Sequence, residues 1–254
     1  MNLVALEFPP ISHLIEWPDI FFEDTNFAIN KVVLLMFLAV IVVLALFFIA
    51  GSRKSLVPRG VQNLVETIVE FIEEQIILQV MGPGTLGWTP YLLTIFVFVA
   101  TLNIIGLFPV IQMPVNARMA IPALLGIQVW FIYNFIGIKH QGFIGYFKGI
   151  MFPPGVPKPI YVLLTPIEFI STVLVRPFSL AVRLFANLFA GHLILVSFAV
   201  ITAALWDATK VGAILPGALL VGLTGFEIFV ALLQAYIFTI LTAVYVGGAM
   251  HPEH

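Results

Sequence analysis

Two guanidinium groups and an imidazole stand in RPFSLAVRLFANLFAGH, residues 176–192, within a stretch (162–206) whose only other charged side chain is Glu168. Hydrocarbon is expected there. An arginine at the centre of a membrane helix costs roughly 2.5–3.5 kcal/mol on insertion scales, so charges kept in such a stretch point to a functional site. Arg176 and Arg183 are seven residues apart and Asn187 follows four later, which puts all three on one stripe of a helix. The last apolar stretch carries Glu227 and Gln234 in FEIFVALLQAY, again seven apart and on one face. His192 comes nine residues after Arg183, about 180° round a straight helix and so on a different face.

These residue types divide the labour of moving a proton. A carboxyl such as Glu227 and an imidazole such as His192 can load and release one. A guanidinium keeps its proton at physiological pH, so Arg183 cannot pass one by titrating; it can hold a nearby carboxylate ionised and block hopping past it. Taken singly, Asn187, Gln234 or Glu168 serves equally well as a packing hydrogen bond or an internal salt bridge. Taken together, two arginines, two acids and a histidine on so few apolar segments point to an ion path.

The elements that must position them are membrane helices. Of 254 residues, 61% are hydrophobic and 9% charged, against about 45–50% and 25% in a soluble domain, and the mean hydropathy is +1.11. The net charge of -2 argues against nucleic acid as a partner, and the absence of cysteine excludes disulfides and thiolate metal sites. The first thirty residues hold Glu7, Glu16, Asp19, Glu23 and Asp24 and no Lys or Arg. That is the reverse of a signal peptide's charged start and reads as a translocated tail.

Residues 32–50 are continuously apolar and form the first span, followed by Arg53, Lys54 and Arg59. Between Val61 and Met81, Leu64, Ile68, Ile72 and Ile76 alternate with Glu66, Glu70, Glu73 and Glu74. This predicts an amphipathic surface helix, broken by the Met-Gly-Pro-Gly run at 81–84. Trp88–Val110, with Asn103 as a buried amide joining helices, and Met119–Ile138 are the next two spans. The segment to residue 160 is expected to be a cytoplasmic loop, and 162–175 a lead-in at the cytoplasmic side. Phe178–Trp206 and Val211–Gly247 are both longer than a membrane is thick, which predicts a strongly tilted hairpin turning at 206–210, with Pro166, Pro177, Pro216 and Gly217 as bends.

The fold class expected is therefore an all-α integral membrane protein with five embedded helices and one amphipathic surface helix. Its divisions are an external acidic tail (1–30), the leading spans with the surface helix (31–160) and the polar hairpin (161–254). Lys/Arg at 53, 54, 59, 139, 148 and 158 against 31, 118 and 210 put the N-terminus outside and the C-terminus in the cytoplasm. There is no internal repeat and no phosphate-cradling Gly-rich loop. Two other readings of the buried charges stay open at this point: a stand-alone transporter, and an intramembrane enzyme using Glu227 and His192 as acid and base.

The run SLAVRLFANLFAGH, followed some forty residues later by an acid and LLQAYIFTILTAVYV, closely resembles subunit a of the F-type ATP synthase over residues 160–247. The resemblance implies a non-catalytic membrane stator beside a rotating ring of c subunits, held by peripheral-stalk b subunits in a bacterial plasma membrane. Protons would pass through two offset aqueous half-channels, with no cofactor. Arg183 then corresponds to the family's essential arginine, and Asn187 and Gln234 to its polar neighbours. His192 and Glu227 correspond to an acid/histidine pair that some members carry in exchanged positions. Ser179 corresponds to a small polar residue lining the cytoplasmic exit, Glu168 to an acid near it, and Arg176 to a basic residue before proline.

Overall fold

Asn30 starts the first long helix by accepting the Val33 N–H on its side-chain oxygen at 3.1 Å, the usual device for an otherwise unpaired helix N-terminus. The computed structural model describes residues 19–21, 29–52, 57–108, 115–152 and 157–250. Glu7, Glu16, Glu23 and Asp24 of the expected tail, the Arg53–Lys54 pair and residues 153–156 lie outside the described residues. A short antiparallel ribbon, β1 (Asp19–Phe21) with β2 (Ile29–Asn30), is an addition to the all-α expectation and leads directly into α1 (Lys31–Ser52).

The remaining α-helices are α2 (Val61–Ile72), α3 (Thr89–Gly106), α4 (Ala120–Gln141), α5 (Phe143–Met151), α6 (Tyr161–Ile170), α7 (Arg176–Ala208) and α8 (Ile214–Met250). Among the described residues, five segments are long and apolar enough to cross a membrane: Lys31–Ser52, Leu86–Gly106, Ala120–Gln141, Tyr161–Trp206 and Ile214–Met250. Exposed Phe37, Ile41, Leu44 and Phe48 on α1 suit contact with lipid rather than water.

By their contacts the residues fall into two units, and the longer helices run from one into the other along the chain. The first comprises Met1–Ala45, Phe98–Arg118 and Phe185–Ala235. It contains the hairpin made by the second part of α7 and the first part of α8. A Cβ on Gly217 would lie 3.4 Å from Thr202 Cγ2, and Asn187 Nδ2 donates to Gln234 Oε1 at 2.8 Å, so the two helices are antiparallel neighbours. The turn falls at 209–213 rather than 206–210, because α7 continues to Ala208. Pro216 is not a bend: it sits in the first turn of α8, where a missing N–H breaks no intrahelical bond. Asn103 and Asn116, both fully buried, tie this unit together. Asn116 Nδ2 donates to Asn103 Oδ1 at 2.7 Å, and Asn103 Nδ2 donates to the Ala231 carbonyl at 3.0 Å. Asn103 is thus a joint between helices, as its isolation in an apolar stretch suggests.

The second unit comprises Leu46–Val97, Met119–Leu184 and Tyr236–His254. Here α2 continues as a wide, π-type helix over Glu73–Met81 and stops at Gly82 (φ 86) and Gly84 (φ 100), conformations in which a side chain would be strained. Val65, Ile72, Ile76, Ile77 and Met81 are its buried apolar positions, whereas Leu64, expected on that face, is 52% exposed. Glu73 leaves the acidic face and accepts the Thr89 hydroxyl at 2.8 Å. The expected loop after α4 holds a further helix, α5, whose Tyr146 ring lies over Gly137 and whose hydroxyl donates to Asn134 Oδ1 at 3.1 Å. Burial pushes the Tyr146 hydroxyl up to about 12, against the opposing pull of the Arg176 charge.

The expected lead-in at 162–175 is not a separate piece. It is α6 joined to α7 through a second wide turn, Ser171–Val175, so that Tyr161–Trp206 runs as 46 helical residues. Pro177 accounts for that turn. It has no N–H, and its ring would collide with a carbonyl one α-turn earlier. The ladder widens instead, with the Arg176 N–H donating to Ser171 O, five residues back. The next carbonyl, Thr172, would then look to Pro177 for its donor. Tyr133 of α4 supplies it, with its hydroxyl 2.6 Å from Thr172 O and both residues 1% exposed. A buried carbonyl left unpaired costs about 1–3 kcal/mol, so this single contact offsets most of what the proline removes.

Candidate functional site

Four of the expected residues belong to the first unit, and the hairpin brings three of them together. Asn187 and Gln234 bond directly. Gln234 is 2% exposed while Asn187 is open on its outer side. Two turns before Gln234 on α8, Glu227 is 5% exposed, and among the described residues neither of its carboxylate oxygens has a hydrogen-bond partner. Asn187 and Glu227 both line a cavity of about 320 Å³, together with Gly191, Ile194, Leu223 and Phe226.

Gly191 explains how the carboxylate fits. A Cβ built on it would fall on Glu227 Oε1 and lie 3.0 Å from Cδ. The glycine therefore leaves the space that the carboxyl occupies, a role that a sequence reading centred on titratable groups does not detect. Its signal was the small residue immediately before His192. Because the obstructed atoms are the end of a flexible side chain, Gly191→Ala is expected to fold and assemble but to displace the carboxyl. ATP-driven proton pumping in vesicles should fall severalfold, and a second change, Glu227→Asp, which withdraws the carboxyl by one methylene, should restore part of it. Unchanged pumping in Gly191→Ala would remove the glycine from the site.

His192 is half-buried, and its Nε2 has no hydrogen-bond partner among the described residues. It is therefore not bonded to Glu227, although it adjoins Gly191 in the chain. Ala231, one turn after Glu227, is held through its carbonyl by Asn103, which fixes α8 between Glu227 and Gln234. Asn116, the outer member of that network, was not anticipated because nothing in the sequence links it to α8.

Arg183, Ser179, Glu168 and Arg176 belong to the second unit. Arg183 is exposed, with no hydrogen bond or ion pair to a described residue, and lies one helical turn before Asn187 on α7. Ser179 and Glu168 are half-buried. Arg176 is half-buried, its guanidinium 5.4 Å from the centre of the Tyr245 ring, within the range of a cation–π contact. Among the described residues no cluster of His, Cys, Asp and Glu has the make-up of a metal site.

Comparison with known proteins identifies the family. Residues 33–247 match the family described as ATP synthase A chain. A protein named ATP synthase subunit a from Frankia alni is 41% identical over 241 residues, covering 94% of this chain and 83% of the relative. Proteins of the same name from a Parafrankia species and from Rhodococcus erythropolis are 44% and 36% identical. These cover 80% and 93% of this chain, and 70% and 88% of the relatives. With five membrane-competent helices among the described residues, a match over most of its length and relatives at this identity, the chain is an integral membrane protein belonging to the ATP synthase A chain family.

Proposed function

We propose that this chain is the proton-translocating stator subunit of a rotary ATP synthase in a bacterial membrane. It contains two offset half-channels that load and unload carboxylates on a rotating ring of c subunits. The observation that carries the reading is Glu227: a buried carboxyl whose two oxygens have no partner among the described residues, on the wall of a cavity. Earlier in the chain, on α7, stands Arg183, exposed and unpaired among the described residues. A residue kept only for packing would be expected to find its hydrogen bonds inside the chain.

In this mechanism protons enter from outside by way of Glu227 and His192 and reach a ring carboxylate. After rotation they leave towards the cytoplasm past Arg183, Ser179 and Glu168. Asn187 and Gln234 hold the hairpin together between the two routes, a role supported by their 2.8 Å bond. The chain acts as a path and a barrier; the chemistry on ATP belongs to other subunits. The N-terminus outside and the C-terminus in the cytoplasm follow from the lysine and arginine distribution. Helices of 46 and 37 residues, roughly 70 and 55 Å long at ~1.5 Å per residue, are accommodated by strong tilting, which lays their length along the curved ring. Peripheral-stalk b subunits hold the chain against the torque.

Gentle solubilisation of the membrane sector tests the reading. A ring of small proteolipid subunits is expected to co-elute with this chain, and vesicles holding the assembled complex should acidify on addition of ATP. A chain that elutes without a ring and conducts protons alone would instead be a self-contained channel or transporter.

A further inference from the structure

The wide turn before Arg176 is closed by side chains from two other helices of the same unit. Thr172 O, deprived of a helical donor by Pro177, accepts the Tyr133 hydroxyl at 2.6 Å. The Tyr133 ring meets the Tyr245 ring at 5.8 Å, and Tyr245 in turn lies under the Arg176 guanidinium at 5.4 Å. On α4, Gly126 is two turns before Tyr133 and so on the same face. A Cβ there would lie 2.8 Å from the Pro177 carbonyl, so α4 approaches the proline backbone closely enough to exclude a side chain. One face of α4 thus grips both sides of the turn.

A wide turn in a helix is equivalent to one added residue, and each residue of an α-helix turns the chain by about 100°. The state of residues 171–175 therefore sets which way the following face of α7 points. Ser179 and Arg183 stand on that face, one and two turns after Arg176. If the turn tightened to a regular helix, Arg183 would swing about 100° about the helix axis. Pro177 disfavours a regular helix at this point, but a proline is also accommodated by a simple kink, so it does not by itself fix the wide turn, and Arg176–Ala208 beyond it is regular helix.

We infer that Tyr133, with Tyr245 and Arg176, forms a pin that holds the wide turn open and so fixes the direction in which Arg183 is presented. Tyr133 is a positioning residue: it acts on proton transfer only through the rotation of α7. The inference rests on the reading of Arg183 as the barrier between proton routes. It also gives Arg176 a task, since its planar cation covers the ring that backs Tyr133, which a guanidinium does better than a lysine ammonium.

The test uses the assembled complex in vesicles, with single cysteines introduced into this naturally cysteine-free chain. A small water-soluble thiol reagent is applied to cysteines placed one at a time at Phe178, Ser179, Leu180, Val182, Leu184 and Ala186. In the parent chain the reactive positions are expected at Ser179 and Ala186, with Leu180 and Leu184 silent, as their 2% and 0% exposure requires. Tyr133→Phe, which removes one oxygen atom and no volume, is expected to move the reactive set by one residue and to lower ATP-driven proton pumping severalfold, with complex yield unchanged. Tyr245→Leu, which removes the ring beneath Arg176 but keeps the hydroxyl bond, should shift the set in the same sense, and Tyr245→Phe should not shift it. An unmoved set in both Tyr133→Phe and Tyr245→Leu overturns the pin, whatever happens to pumping. A moved set with normal pumping upholds the pin and counts instead against Arg183 as the barrier.

Discussion

Arg183→Ala is expected to abolish ATP-driven acidification and proton-driven synthesis in vesicles containing the assembled complex, and to raise their passive proton permeability. The residue is exposed in the isolated chain and unpaired among the described residues, so its loss removes no internal contact that the fold depends on. What it removes is a permanent charge in an apolar surrounding. A ring carboxylate passing at about 4 Å would be attracted by about 4 kcal/mol at an effective dielectric near 20, enough to hold the acid ionised against a desolvation penalty of similar size. Without that attraction the carboxylate has no reason to give up its proton on the cytoplasmic side, and protons can pass from one route to the other without rotation. Arg183→Lys is expected to fail as well, because an ammonium is a compact charge that loses its proton when desolvated and lacks the planar fork. Normal pumping in Arg183→Ala, with complex yield matched to the parent, would show that the arginine only packs the helices.

The residues that this experiment addresses were legible in the sequence because charge is scarce there. Arg183, Asn187, Glu227 and Gln234 stand out against apolar neighbours, and helical spacing places each pair on one face; Asn187 and Gln234 meet across the hairpin. The spans were legible for the same reason: hydrocarbon thickness demands a length of apolar residues that few other folds require. What escaped was set by contacts between distant segments. Continuity through Ser171–Val175 could not be read from Pro177, which ordinarily ends or bends a helix, because the missing donor comes from Tyr133, thirty-nine positions earlier in the chain. Leu64 was assigned to the buried face because it stands four residues before Ile68 and eight before Ile72. Four residues overshoot an α-turn by about 40°, so Leu64 lies well off the face that buries Ile72. The wide helix that begins at Glu73 then resets the phase and brings Ile76 and Ile77 inward. Helix α5 was missed because nine residues with a single lysine give too short a pattern to distinguish from a loop. Gly191 was missed because a glycine carries no chemistry of its own; its importance is the volume it leaves empty.

Glu227→Gln is expected to slow proton-driven ATP synthesis at least about tenfold, equivalent to ~1.4 kcal/mol on the barrier to proton entry, while leaving the amount of assembled complex unchanged. The substitution is chosen because it keeps shape. Glutamine fills the same space beside Gly191, and its amide tolerates the buried wall of the 320 Å³ cavity at least as well as a carboxyl whose two oxygens lack partners. Stability is therefore not the quantity that changes. What is lost is the capacity to take up and release a proton, which an amide does not have at any working pH. Glu227→Asp retains that capacity with the carboxyl withdrawn by one methylene, and is expected to fall between the parent and Glu227→Gln. His192→Gln separates the two members of the expected relay. If His192 lies on the same route, its loss should slow entry too, and combining it with Glu227→Gln should add little, because residues acting in series on one path are not additive. Full additivity would place the histidine on a different path or in a packing role, consistent with the absence of a bond between the two groups. Undiminished synthesis in Glu227→Gln would take the carboxyl out of the proton route altogether, leaving the exposed arginine without its partner at the entry side.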